Sequence, residues 1–466
     1  GRRVAGLLAT RARLYAHRRT DPVRRGPMED PLRIAAMQVL MVTSSPAFFA
    51  APKLLPLLAF QQIRLSLKYG NAAETPVAFC VYGLVECGVT GHIDSGFNYG
   101  KKAIELSQQL GTREYECRVL LIFNSQIRHW RRHARQTLGA LLEVYQIGME
   151  TGDLEYAAYA VHIHCCNSFC VGKNLAALER SMMTYSSAIR RLNQKTAYNF
   201  QQIWHQSLLN LRAGGEQPAR LVGEIYDEDK MLPTHRAAND RTAIFDVYFH
   251  KLMLSYLFGD GNAAAHAKMA EAYADGVTGM LYVPVMCFYA ALAYLAACRE
   301  MPDGLRKQRM VNRVTGLQKK MKKWARHCPE NFEHKYWLVE AEHADIRGDE
   351  AEARRYYKQA IEGAAKNEYH NERAIANECF ARYWIDKNEP VMGRHYIHSA
   401  REQYRIWGAS GKVRDIENRY ADLFQVVEAE LGGDTTAEQT SEMPTAAGGL
   451  DSVSVLKASQ AIAGEI

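Results

Sequence analysis

One short phrase, recurring every 40 residues or so, constrains this chain more than any other feature. A Gly or Asn stands where a turn is needed, and small residues follow it at helical spacing. The clearest copy reads Trp337, Ala341, Ala344, Gly348, Ala353, Tyr357, Ala360. Alanine at 341 and 360 lets two helices approach closely. Gly348 can take the left-handed conformation that ends a helix, and Asp349 then opens the next helix near its positive end. The phrase returns at Asn388 (Gly393, Ile397, Ala400), at Gly91 (Gly96, Gly100, Ala103) and at Gly172 (Ala177, Ser181, Thr184). Turns near Arg132, Gly214, Gly259 and Met301 fill the gaps. A helix pair of this kind cannot bury its apolar face alone, so neighbouring pairs must stack.

The turn-to-turn spacing, about 40–47 residues, exceeds the roughly 34 of the strict tetratricopeptide repeat. The expected fold is therefore all-α, an α-solenoid of tetratricopeptide-like antiparallel helix pairs with longer helices or loops. Helices are expected over 31–42 and 53–69, then eight pairs from about 74 to 408, then a capping helix at about 411–431. Four segments follow from this map. Residues 1–27 are an Arg-rich head, expected to be disordered or not part of the domain, and 28–431 are the repeat domain. Residues 432–449 are polar, small and Gly-rich, a flexible linker by composition. Residues 450–466 begin a further ordered element.

Charge argues against a phosphate-binding body. The net charge of +7 over 466 residues is carried entirely by the head, where Arg2, Arg3, Arg11, Arg13, Arg18, Arg19, Arg24 and Arg25 face one acid, Asp21. The remaining residues sum to zero, so no specific nucleic-acid partner is expected of the body. The ten Cys are scattered through apolar periodic segments, which suits buried, reduced thiols and a cytoplasmic location. Met280 to Cys298 carries no charge and is about as long as a membrane span. It falls in phase with the repeat, however, and a helix covered on several sides is apolar all round; no membrane span is expected.

No catalytic, cofactor-binding or metal residue is assigned. His162, His164, Cys165, Cys166 and Cys170 are of zinc-ligand type, and His162, Cys166 and Cys170 share one helical face. Residues eight apart on a helix lie about 12 Å apart along its axis, too far to meet on one ion, so packing side chains are expected. Gly172-Lys173-Asn174 and Gly411-Lys412-Val413 lack the spacing and hydroxyl of a phosphate loop. The HRD, DFG, GxSxG and HExxH signatures do not occur. His395 and His398 fall on an outer helix of a pair. The acidic stretch Glu224 to Asp229 reads as a solvated helix end or loop, Asn239 or Asp240 as a helix cap with Arg241 pairing locally, and Lys319 to Lys323 with Arg326 as a solvated helix face.

Several phrases resemble the helical middle region of large bacterial multidomain signalling kinases. They are Leu65-Ser-Leu-Lys-Tyr-Gly-Asn71, Tyr145-Gln-Ile-Gly-Met-Glu-Thr-Gly-Asp-Leu-Glu155, Glu224-Ile-Tyr-Asp-Glu-Asp-Lys-Met-Leu-Pro233 and Asn239-Asp-Arg-Thr-Ala-Ile-Phe245. Leu456 to Ile466 is similar to the entry into their GAF sensor domain. The resemblance covers about residues 30–466 and stops before the Arg-rich head. It implies a parent with a serine/threonine kinase domain, an AAA or STAND-type ATPase, this helical array, a GAF domain and a histidine kinase. ATP and magnesium would belong to the parent's other domains, and no cofactor to this segment. The expected role is a non-catalytic regulatory scaffold that binds a protein or peptide on its concave face, or neighbouring domains of the same chain. A free-standing adaptor or transcriptional regulator, with the basic head on DNA, is the alternative; a hidden enzyme is a third.

Overall fold

A computed structural model describes residues 25–51, 54–111 and 113–424, and residue 12 besides. The linker expected at 432–449, the element at 450–466 and most of the 1–27 head lie outside the described residues. Among the described residues the only β structure is two isolated bridges, Pro27 with Asn71 and Val222 with Asp227. The first of these ties the end of the head to the domain, because Met28 N donates to Asn71 O and Asn71 N donates to Gly26 O.

The fold is an α-solenoid. Two leading helices, α1 (Pro31–Ala50) and α2 (Leu55–Tyr69), precede α3 (Thr75–Leu84), α4 (Ile93–Leu110), α5 (Arg113–Ile122), α6 (Gln136–Thr151), α7 (Leu154–Cys170), α8 (Leu175–Arg191) and α9 (Lys195–Ala213). There follow α10 (Glu228–Ala237), α11 (Arg241–Phe258), α12 (Ala263–Tyr273), α13 (Tyr282–Arg299), α14 (Leu305–His327), α15 (Pro329–Ile346), α16 (Glu350–Lys366), α17 (His370–Asp386), α18 (Pro390–Trp407) and α19 (Ser410–Arg419). The capping helix expected over about 411–431 is broken by a turn at Tyr420 and resumes over 421–424; residues 425–431 lie outside the described residues.

From α3 onward, helices alternate in kind. Those of the inner layer (α3, α7, α9, α11, α13, α15, α17) are buried on nearly every face; all ten residues of α3 are buried. Helices of the outer layer carry one buried stripe, as in α16, where Ala353, Tyr357, Ala360 and Ala364 recur at helical spacing. The span-like helix is α13, an inner helix with 78% of its apolar window buried in protein.

The turns fall where the sequence places them. Gly91, Gly172, Gly259, Gly348 and Asn388 are all left-handed, with φ between 58° and 79°. Asp349 caps α16 by accepting from Glu352 N, and Asp240 caps α11 by accepting from Ala243 N. Two local expectations are corrected. Arg241 pairs not with a neighbour but with Asp275, on the far side of the α11–α12 pair. On α8, Ala177, Ser181 and Thr184 are not the packing face; Leu175, Leu178 and Met182 are. Larger side chains hold that pair together, so the small-residue rule fails there by one helical position.

The solenoid winds back on itself. Asn331, at the start of α15, donates to His129 O (2.8 Å) and Arg132 O (2.9 Å), 202 and 199 residues earlier. Asn371, at the start of α17, donates to Cys170 O, 201 residues earlier. Ser410, at the start of α19, donates to Arg212 O (2.8 Å), 198 residues earlier. Five helix pairs of about 40 residues therefore complete one turn, and inner helices of the second turn begin on the ends of inner helices of the first. Two glycine pairs sit in this seam. A Cβ on Gly88 would lie 2.9 Å from Gly279 Cα, and one on Gly411 would lie 2.3 Å from Gly214 N. Single π-helical turns, Val85–Thr90 after α3 and Phe123–Ile127 after α5, bring Gly88 and Gln126 to the loop before α13.

Gly411→Ala should therefore push the two turns apart and lower the urea midpoint by more than Gly348→Ala. The latter meets open space and pays only the left-handed backbone, about 1 kcal/mol. Equal effects would mean that the seam contributes nothing to stability.

Candidate functional site

An α-solenoid offers three places for chemistry: its inner face, its buried polar clusters and its outer clefts. The inner face is filled. Trp204 on α9 meets Tyr282 on α13 (centroids 5.1 Å) and His250 on α11 (4.4 Å), and Phe169 on α7 meets Trp407 on α18 (5.9 Å). A cavity of about 90 Å³ lies between α1 (Met41, Ser44) and the inner helices (Tyr159, His162, Phe200, Tyr282). The expected concave binding surface is thus occupied by the protein's own aromatic side chains and by α1.

The zinc-like residues lie in this packing. His162 Nδ1 meets Gln201 Oε1 at 2.9 Å, and Cys166 Sγ is 3.6 Å from His162 Nε2. His164 turns away to Leu138 O. Among the described residues, no group of three or more His, Cys, Asp or Glu is arranged to hold a metal ion. All ten Cys are buried and none is in a disulfide. Burial pushes the thiols of Cys165 and Cys287 up to about 12, so they stay protonated and weakly nucleophilic at neutral pH.

Beside them lies a group the sequence reading missed. Asp246 on α11 is fully buried and neither carboxylate oxygen accepts a full hydrogen bond. Burial drives its pKa well above the ordinary carboxylate range, against a smaller opposing pull from Trp204. His250, one turn on, is also fully buried with neither ring nitrogen bonded. A helical apolar run containing one Asp and one His four residues later was the available signal.

Three buried ionic clusters account for most of the remaining chemistry-bearing groups, and each joins different helices. In the first, Lys335 and His334 on α15 both contact Glu372 on α17; Lys335 Nζ reaches Glu372 Oε2 at 2.7 Å and also donates to Asn331 O. Tyr369 donates to Asn331 Oδ1 (2.9 Å) and lies under the Lys335 ammonium. In the second, Glu342 on α15 accepts from Arg382 (2.7 Å), Arg299 (3.0 Å) and Tyr357 (2.7 Å). Burial pushes this carboxyl up, but the two guanidiniums and the phenol outweigh it and hold it at about 2. In the third, Lys412, fully buried on α19, pairs with Glu378 and Asp415 at 2.8 Å each and donates to Leu257 O at the end of α11.

The acidic stretch is only partly solvated. Asp227 caps α10, but Glu228 is buried, ion-pairs with Lys251 and accepts from Leu221 N. Lys319, Lys320, Lys322, Lys323 and Arg326 are exposed on α14, as expected of an outer helix. Beside them is a cleft of about 810 Å³ with Lys268, Lys320 and Lys323 at its rim.

No family model matches the chain, and no curated protein does. Among solved structures, a circular tandem repeat protein with novel repeat topology and enhanced subunit contact surfaces aligns with 92% of this chain and 100% of its own. The identity is 12% and the TM-score 0.21, too loose a superposition to carry a conclusion.

Two outcomes follow from the buried charges. Glu342→Gln leaves Arg382 without a carboxylate and Arg299 with Asp345 alone, and should cost roughly 3 kcal/mol or more in chemical denaturation; a loss below about 1 kcal/mol, the worth of an exposed pair, would contradict the arrangement. The second concerns acid. Burial holds His129 and His250 at about 3 and, against a weaker pull from Gln201, His162 at about 4. An unfolded His titrates near 6.5. Depressed folded values give stability that is full above about 6.5 and is lost as pH falls towards 3–4, by about 1.4 kcal/mol per His per unit. Asp246 acts oppositely, its raised value favouring the folded state in acid, but it is one group against three. The urea midpoint should fall between pH 7 and pH 5; an unchanged midpoint would mean that these rings are not buried neutral.

Proposed function

We propose that this chain is a non-catalytic helical-repeat scaffold within a cytoplasmic multidomain signalling kinase, placed between an ATPase and a sensor histidine-kinase module and coupling the two. The observation that carries this reading is how its ionisable groups are used. Glu342, Glu372, Lys335 and Lys412, all buried, and the half-buried Glu378 are paired across helices, which locks one helix to the next. A winding whose turns are pinned to each other moves as a unit, so a displacement imposed at one end can be delivered at the other. The kinase context rests on the resemblance of residues 30–466 to the helical region of such proteins. The fold itself supports a scaffold or protein-interaction role.

The test uses the intact parent. Asn331→Ala removes the side chain that receives two turns of the winding, leaving any ATPase and kinase sites untouched. Expected is ordinary nucleotide binding with stimulus-dependent autophosphorylation reduced or lost. Unaltered regulation in a folded Asn331→Ala protein would overturn the coupling role, and ATP turnover by the isolated chain would overturn the non-catalytic one.

A further inference from the structure

Helix α14 stands apart in charge. Over its 23 residues it carries nine Lys and Arg and no Asp or Glu, in a body whose net charge is zero. Two of the nine are neutralised, Lys307 by Asp303 and Arg313 by Glu271. Lys319, Lys320, Lys323 and Arg326 form no ion pair among the described residues and are exposed. Residues 309, 313, 316, 320 and 323 recur at three- and four-residue spacing and so share one face of the helix. That face is not open to bulk solvent on all sides. It forms one wall of the 810 Å³ cleft, whose other walls are α12, the first turns of α13 and the end of the α3 π turn. The floor is apolar (Val283, Met286, Leu317), and three unpaired ammonium groups (Lys268, Lys320, Lys323) stand round it.

We infer that this cleft is a docking site for an acidic, amphipathic helix of a partner protein. Its carboxylates would meet Lys268, Lys320 and Lys323 at the rim, and its apolar residues would pack on Val283, Met286 and Leu317. The shape and charge together select this occupant. An apolar floor below a cationic rim takes an inserted side chain flanked by acids, the helix-in-groove mode. A continuous phosphate track fits worse, because it has no apolar side chain to fill the floor formed by Val283, Met286 and Leu317. A bilayer surface cannot reach a recessed floor. Complementary charge at such a rim acts chiefly on the rate of association and its salt dependence, while the buried apolar contact holds the complex. The inference does not depend on the kinase context and stands for a free adaptor as well.

The test is binding by fluorescence anisotropy to the whole chain of three labelled probes: a Glu/Leu amphipathic helical peptide, the same composition scrambled to remove its apolar face, and an oligo-dT of equal charge. Vesicles of phosphatidylserine and phosphatidylcholine serve as a fourth. The amphipathic peptide should bind, weaken with added salt, and bind about tenfold more weakly to K320E/K323E, with the scrambled peptide poor throughout. Lys101→Glu, an exposed lysine on α4, should leave binding unchanged and reports that charge reversal alone is not the cause. Circular dichroism checks that K320E/K323E stays folded; if it does not, Lys268→Glu on α12 provides the same reading from the opposite wall. The proposal is overturned if the peptide does not bind, if it binds these variants as well as the parent chain, or if oligo-dT or vesicles bind more tightly than the peptide.

Discussion

Everything in this fold depends on how the ends of the first-turn inner helices are satisfied. An α-helix leaves its last carbonyls without intrahelical partners, and burying them unpaired would cost several kcal/mol in total. Here α7 ends inside the protein, and α9, α11 and the turn after α5 end against the second turn of the winding. Their carbonyls accept from side chains four or five repeats later: Asn331 at the turn after α5, Asn371 at α7, Ser410 and Arg414 at α9, Lys412 and Arg419 at α11. Those donors work only if the repeat has the length that brings them round. The 40-residue repeat, the five-pair turn and the occupied inner face are one constraint seen at three scales.

The buried ions follow from the same closure. Second-turn helices pack against the first turn on one side and each other on the rest, so polar residues at their starts have nowhere wet to go. Lys335, Glu342, Glu372 and Lys412 are almost wholly buried and each is matched by an opposite charge or a carbonyl. Such clusters contribute little net stability relative to apolar packing but are costly to break on one side. They therefore favour one relative placement of helices over near alternatives. Asp246 and His250 are the exception, held neutral and unbonded at the centre of the aromatic packing.

What the sequence revealed was local. Left-handed turns at Gly348, Gly91 and Asn388, the caps at Asp240 and Asp349, and the alternating inner and outer helices are written in residues within a few positions of each other. The repeat length was legible, but its consequence was not: nothing near Asn331 indicates that its amide meets His129 two hundred residues earlier. For the same reason the concave face was expected to be open, since the aromatic residues that fill it come from α7, α9, α11, α13 and α18. The candidate cleft was half visible. The lysines of α14 show as a basic run, while Lys268 and the apolar floor join them only through the stacking of α12 and α13.

The closure of one turn on the next is the claim from which the rest follows, and a distance across the seam tests it most directly. Asn174, at the start of α8, donates to Ile406 O on α18, so Lys173 and Arg405 lie on opposite sides of the seam and both are exposed. Cysteines at those two positions can take nitroxide labels while the ten native thiols stay buried. Pulsed electron–electron resonance should then give a single narrow distribution at the short end of the measurable range, broadened or lost when Asn331→Ala is added. A long or broad distribution in the otherwise native chain would show an open solenoid and contradict the account.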